Sequence, residues 1–178
     1  MVYKLIIFDL DNTIVIPPIP RRIIGALGKY SLAERLATSS VSLVGLIPCA
    51  GPMLKRYALQ TIEALTAVTG EYKPSKDVVN FIKYTDGYKM AVLSSNSKQF
   101  VYDQLKKQGI SERFIDIVTG EDVSMLKPCP EGLIKILKKS KIKRDETIYF
   151  GSDFIDRLTG ENAHITTVSS LDDLKMTL

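Results

Sequence analysis

Lys4-Leu5-Ile6-Ile7-Phe8-Asp9-Leu10-Asp11-Asn12-Thr13 decides how the rest of the chain is read. An apolar run this short, closed by an acid, suits a strand buried on both faces of a parallel sheet. Strand side chains alternate between faces, so Asp9 and Asp11, two residues apart, can point to one side of the strand's carboxyl end. Open α/β sheets bind their ligands there. Two acids so close repel each other and need a cation or a shared proton. One can then be a nucleophile and the other a general acid and base.

Working outward, similar runs recur at Lys89–Ser94, Phe114–Val118, Thr147–Phe150 and Ile165–Val168, each ending in a polar or glycine-containing turn. Helical segments lie between them. Ser97–Gln108 stops at Gly109, and Pro130–Lys139 begins with a proline where a missing N–H costs least. The lone His164 opens the last of these strands on this reading. Alternating strands and helices predict a Rossmann-like, three-layer α/β sandwich with a mostly parallel sheet and right-handed connections.

Residues 14–75 break the rhythm. Ser31 and Glu34 form a capping-box pattern for a helix that Pro48 must end, and a second helix from Pro52 to Thr69 carries Leu54, Ala58, Ile62 and Leu65 as an apolar stripe. The expected organisation is therefore a core of residues 1–13 and 76–178 with a small all-helical cap, 14–75, inserted after the first strand. Seven Lys or Arg against three Glu fall in the cap, so the chain's net +4 is concentrated there and the core is neutral.

The chain has 178 residues, 45% hydrophobic and 25% charged, which excludes disordered and collagen-like classes. Its longest apolar stretch, Val41–Met53, is broken by Ser42, Gly45, Pro48 and Gly51 and falls short of the roughly 20 residues a bilayer span needs. No membrane partner is expected, and no leader pattern opens the chain, so a cytoplasmic location is the expectation. Cys49 and Cys129 with the single His164 give neither a disulfide framework nor a zinc cluster. The positive charge lacks arginine-rich runs interleaved with aromatics, so nucleic acid is not an expected partner.

Three further patterns follow in order: Ser94-Ser95-Asn96 at a strand end before a helix N-terminus, a natural anion-binding position; Lys127-Pro128-Cys129-Pro130 leading into another helix; and Gly151-Ser152-Asp153-Phe154-Ile155-Asp156 after a fourth strand. With the first motif, this ordered set resembles the haloacid dehalogenase superfamily of hydrolases, over the whole chain apart from the insertion, whose position also fits the family's cap. The resemblance implies that Asp9 attacks phosphorus and that Asp11 protonates the leaving group and then activates water. Thr13 would position the first loop, Ser95 and Asn96 would bind the phosphoryl group, and Lys127 would stabilise its charge. It also implies Mg²⁺, held by Asp9, the backbone carbonyl of Asp11 and an acid of the fourth motif. Family members that act as dehalogenases lack an acid at the position of Asp11, so the phosphatase branch is favoured.

The fourth motif departs from the family pattern, with Ser152 where most members carry the metal-binding aspartate. Asp153, one residue displaced, is favoured as the ligand, directly or through water, with Asp156 supporting the site from behind; Asp156 itself or a water held by Ser152 is the alternative. The expected protein is a magnesium-dependent phosphatase acting on a small phosphorylated metabolite, as a monomer or homodimer, with Arg21 and Arg22 of the cap contacting substrate. A phosphomutase, a phosphonate hydrolase using Lys29 or Lys55, or a catalytically weak phosphate-binding protein are the alternatives.

Overall fold

The computed structural model describes residues 2–16 and 71–178. The expected cap helices, with Arg21 and Arg22, lie outside the described residues. Among the described residues five strands form one parallel sheet: β1 (Leu5–Phe8), β4 (Lys89–Leu93), β5 (Phe114–Val118), β6 (Thr147–Phe150) and β7 (Thr166–Val168), in the order β5-β4-β1-β6-β7. Two residues on each side of the undescribed segment, β2 (Val15–Ile16) and β3 (Lys73–Pro74), pair antiparallel, so the chain leaves and rejoins this region at one place. The helices among the described residues are α1 (Lys76–Tyr84), α2 (Lys98–Lys107), α3 (Glu131–Ser140), α4 (Phe154–Ala163) and α5 (Leu171–Thr177).

The continuous apolar character of β1 has the expected cause. Ile6 and Phe8 face a core completed by Val78, Val79 and Ile82 of α1, Val101 and Leu105 of α2 and Leu174 of α5. Leu5 and Ile7 face the opposite core, with Leu133, Ile136 and Leu137 of α3 and Ala163 of α4. All four β1 side chains are fully buried, each worth about 1.5–3 kcal/mol of burial. β4 and β6 alternate in the same way, Met90 and Val92 against Ala91 and Leu93, Ile148 and Phe150 against Tyr149. The result is the three-layer α/β sandwich expected from the sequence.

The chain runs from β1 to β4 and β5 on one side, then returns to β6 and β7 on the other. β1 is therefore the switch point, and a crevice opens at its carboxyl end. Odd-numbered residues of β1 face α3 and α4, which puts Asp9 on the same side as Tyr149 and under the two helices whose approaches carry Lys127 and the fourth motif.

One local reading changes. His164 does not open the last strand; it is the left-handed C-cap of α4, with φ 55° and its N–H donated to Glu161, and β7 starts at Thr166. Asp153 is the N-cap of α4.

Candidate active site

The loop after β1 folds around one carbonyl. The N–H groups of Ile14 and Val15 both donate to the Leu10 carbonyl, at 2.9 and 3.0 Å, and Asn12 takes φ 56°, a left-handed conformation asparagine tolerates better than most residues. This turn brings Thr13 Oγ1 to 3.3 Å from Asp9 Oδ2. Asp9 itself is anchored to β6, its N–H donating to the Phe150 carbonyl at 2.8 Å.

Lys127 Nζ lies 2.6 Å from Asp9 Oδ1 and 2.6 Å from Asp156 Oδ1, with only a tenth of its side chain exposed. Asp156 is fully buried, and the Tyr149 hydroxyl also donates to its Oδ1 at 2.6 Å. Asp153 and Asp156 cap each other: Asp156 N–H donates to Asp153 Oδ1 at 2.8 Å and Asp153 N–H to Asp156 Oδ2 at 3.3 Å. On the other side of the crevice, Asn96 Nδ2 donates to Asp11 Oδ2 at 2.6 Å. Ser95 and Asn96 are buried at the end of β4.

The structure thus brings together Asp9, Asp11, Thr13, Asn96, Lys127 and Asp156, with Ser95, Ser152 and Asp153 beside them. Asp156 sits behind Lys127 rather than on an open face, and Asp153 Oδ1 accepts the Asp156 N–H of the helix cap. Tyr149 was not singled out in the sequence, where it reads as one apolar residue of a strand. Its place two residues before Gly151, in step with Asp9, is the signal that could have found it.

Among the described residues four acids stand around one lysine, and burial together with their mutual repulsion sets the electrostatics. Burial pushes Asp9 well above the ordinary carboxylate value, Asp156 adds to the shift and Lys127 only partly offsets it. Burial likewise raises Asp11 to about 6, against the opposing pull of Lys127 and the Asn96 amide. Burial also lowers the affinity of Lys127 for its proton, but Asp156 and Asp9 outweigh this and hold it well above its usual value, so it stays an ammonium.

Such a donor set fits a cation. Ser152 Oγ and Asn96 Oδ1 are buried without a hydrogen-bond partner among the described residues, orphan acceptors of the kind an ion or its waters satisfy. Among the described residues no three His, Cys, Asp or Glu side chains form a ready-made cage. Mg²⁺ does not need one, since it keeps several waters and takes one or two carboxylates.

A buried carboxylate pinned by a lysine, with a second acid beside it, stands at the switch point where open α/β sheets bind their ligands. A sequence model of the haloacid dehalogenase-like hydrolases matches residues 23–169, well over half of the chain. The chain belongs to that family. Pyrophosphatase PpaX of Halalkalibacterium halodurans is 30% identical over 136 residues, covering 68% of this chain and 63% of that relative. Pyrophosphatase PpaX of Bacillus mycoides is 33% identical over 99 residues, covering 56% of this chain and 46% of that relative. The chain spans less than two thirds of the length of these curated relatives. Among solved structures, one from Bacteroides fragilis assigned as a haloacid dehalogenase-like hydrolase superposes with a TM-score of 0.71 at 18% identity, over 98% of this chain and 93% of that one. L-2-haloacid dehalogenase from Xanthobacter autotrophicus gives 0.68 at 15% identity, over 98% and 82%. At these identities the likeness establishes the fold alone. No helix among the described residues is long and apolar enough to cross a membrane.

Proposed function

We propose that this chain is a magnesium-dependent phosphatase that hydrolyses a small phosphorylated metabolite through an aspartyl-phosphate on Asp9. The observation that carries the reading is the pairing of Asp9, fixed by Lys127 at 2.6 Å, with Asp11, fixed by Asn96 at 2.6 Å. Asp9 Oδ1 is held by the ammonium, while Oδ2 has, among the described residues, the long contact from Thr13 and is the oxygen we assign to the attack. The Asp9 oxygen forms a bond to phosphorus, the ester P–O bond breaks, and Asp11 gives its proton to the departing oxygen. Asp11 then takes a proton from water, whose oxygen displaces Asp9 and releases inorganic phosphate. Lys127, Ser95 and Asn96 stabilise charge on the phosphoryl oxygens.

Asp9, the Asp11 carbonyl and the Ser152 side of the crevice are the groups that would hold Mg²⁺, with Asp153 and Asp156 supporting the site from the α4 cap. The ion would add positive charge where the phosphoryl oxygens lie. Residues 14–75 are proposed as the cap over the core of 1–13 and 76–178, with Arg21 and Arg22 contacting the non-reacting part of the substrate. The relatives that are pyrophosphatases make inorganic pyrophosphate the second substrate to examine.

The test is magnesium-dependent release of phosphate from an activated aryl phosphate and from pyrophosphate, followed by a screen of phosphorylated metabolites. Asp9→Asn is expected to remove turnover while the protein remains folded. Activity surviving in a clean Asp9→Asn preparation overturns the assignment of the nucleophile.

A further inference from the structure

Lys127 has three N–H donors, and three acceptors stand around it: Asp9 Oδ1 at 2.6 Å, Asp156 Oδ1 at 2.6 Å and the Tyr149 hydroxyl oxygen at 3.4 Å. The same hydroxyl donates its own proton to Asp156 Oδ1 at 2.6 Å. Tyr149 is therefore both an acceptor for the lysine and a competing donor to the acid that pulls the lysine away from Asp9. Its ring is fully buried in the layer between the sheet and α3 and α4, on a strand paired along its length with β1, Tyr149 opposite Ile7. The phenol is a rigid strut, reaching the ion pairs from the centre of the sheet.

We propose that Tyr149 is a positioning residue of this site, whose hydroxyl shares Asp156 with Lys127 and so keeps the ammonium on Asp9. The inference rests on the functional reading above for its consequence in catalysis, but its geometric content stands on the contacts alone. Without the hydroxyl, Asp156 Oδ1 has Lys127 as its remaining side-chain donor, the third ammonium N–H loses its acceptor, and Lys127 moves toward Asp156. Burial of the phenol and its acidic neighbours push the Tyr149 hydroxyl well above its ordinary value, which keeps the proton it must donate.

Tyr149→Phe preserves the ring and its packing and removes only the hydroxyl. Three measurements on the full chain test it: the crystal structure of the variant, its affinity for beryllium trifluoride in the presence of Mg²⁺, and kcat and KM for an aryl phosphate. The expected results are a longer Lys127–Asp9 separation, beryllium trifluoride binding weakened about tenfold, and kcat lowered by about the same factor with KM little changed. A variant with Lys127 still on Asp9 and unaltered beryllium trifluoride affinity overturns the proposal, even if its thermal stability falls, because that result makes the hydroxyl a structural group only. If the wild type neither turns over phosphate esters nor binds beryllium trifluoride, the functional reading fails. A lysine that shifts in Tyr149→Phe then still supports the positioning role, and an unmoved lysine refutes it.

Discussion

Gly151→Ala isolates the steric logic of the fourth motif. A Cβ at residue 151 would stand 2.5 Å from both Cβ and Cγ of Asp156 and 2.7 Å from its Oδ2. Comfortable carbon contacts are about 3.5–4.0 Å, so something must give by roughly 1 Å. Asp156 is poorly placed to yield. Its N–H is spent on Asp153 at 2.8 Å, and its Oδ1 receives both Lys127 and Tyr149 at 2.6 Å. Overpacking of a tight interior costs about 1–3 kcal/mol, and a displacement near 1 Å in a catalytic constellation can cost about a hundredfold in rate. The variant should therefore lose about 1–3 kcal/mol in urea denaturation at unchanged m-value and about two orders of magnitude in aryl phosphate turnover. Gly87→Ala is the control. That glycine has φ 90° with nothing near its missing Cβ, so the substitution should lower stability by about 1 kcal/mol through the backbone and leave turnover intact. A Gly151→Ala protein with wild-type stability and rate, or with Asp156 unmoved in its crystal structure, would refute the argument.

Ser152→Asp places a carboxylate where an orphan hydroxyl now stands, and should tighten Mn²⁺ binding measured by electron paramagnetic resonance at least about tenfold, as expected for an added charged ligand on a divalent ion; unchanged affinity would move the ion away from this side of the crevice. Glu131 fastens the segment leading to Lys127, accepting the N–H groups of Ser124 at 2.9 Å and Met125 at 3.0 Å. Burial raises its pKa, but the Ser124 N–H, Lys135 and the Met125 N–H outweigh this and hold it below the ordinary 4.5. A folded-state value below the unfolded one stabilises above the unfolded value and is lost as pH falls through the folded one. Wild type should therefore exceed Glu131→Gln in stability at pH 6 by less than about 1 kcal/mol, since the group is near the surface, and the gap should close toward pH 3. A gap independent of pH in parallel denaturation curves would reject this.

The sheet was legible because β4 and β6 are buried on both faces and β5, though a half-exposed edge strand, keeps four apolar residues in five, so all three read as apolar runs with boundaries within a residue of those observed. α4 was hidden for a different reason. Its first turn is built from the fourth motif itself, so Asp153 and Asp156 read as chemistry when they also form a capping box. His164 misled because glycine or asparagine is the usual left-handed C-cap. β2 and β3 have two residues each, too few for any alternation to register. In the site, Asp9, Asp11 and Lys127 were visible as motif residues, whereas the contact of Tyr149 with Asp156 depends on β6 and α4 meeting across Gly151.

The fold does not by itself choose the reaction, since a haloacid dehalogenase shares it. The proposed reaction rests on what stands beside Asp9. A halide leaves without a proton, so a site built for it has no use for a second acid over the crevice. Here Asp11 is present, raised by burial and held by an amide that also leaves its own Oδ1 without a partner. Among the described residues one ammonium stands with Asp9, Asp11, Asp153 and Asp156, and on the proposed reading a cation arriving with the phosphoryl group would help to balance that charge. On the proposed reading the arrangement suits a phosphorylated substrate, whose departing oxygen needs a proton, better than an alkyl halide.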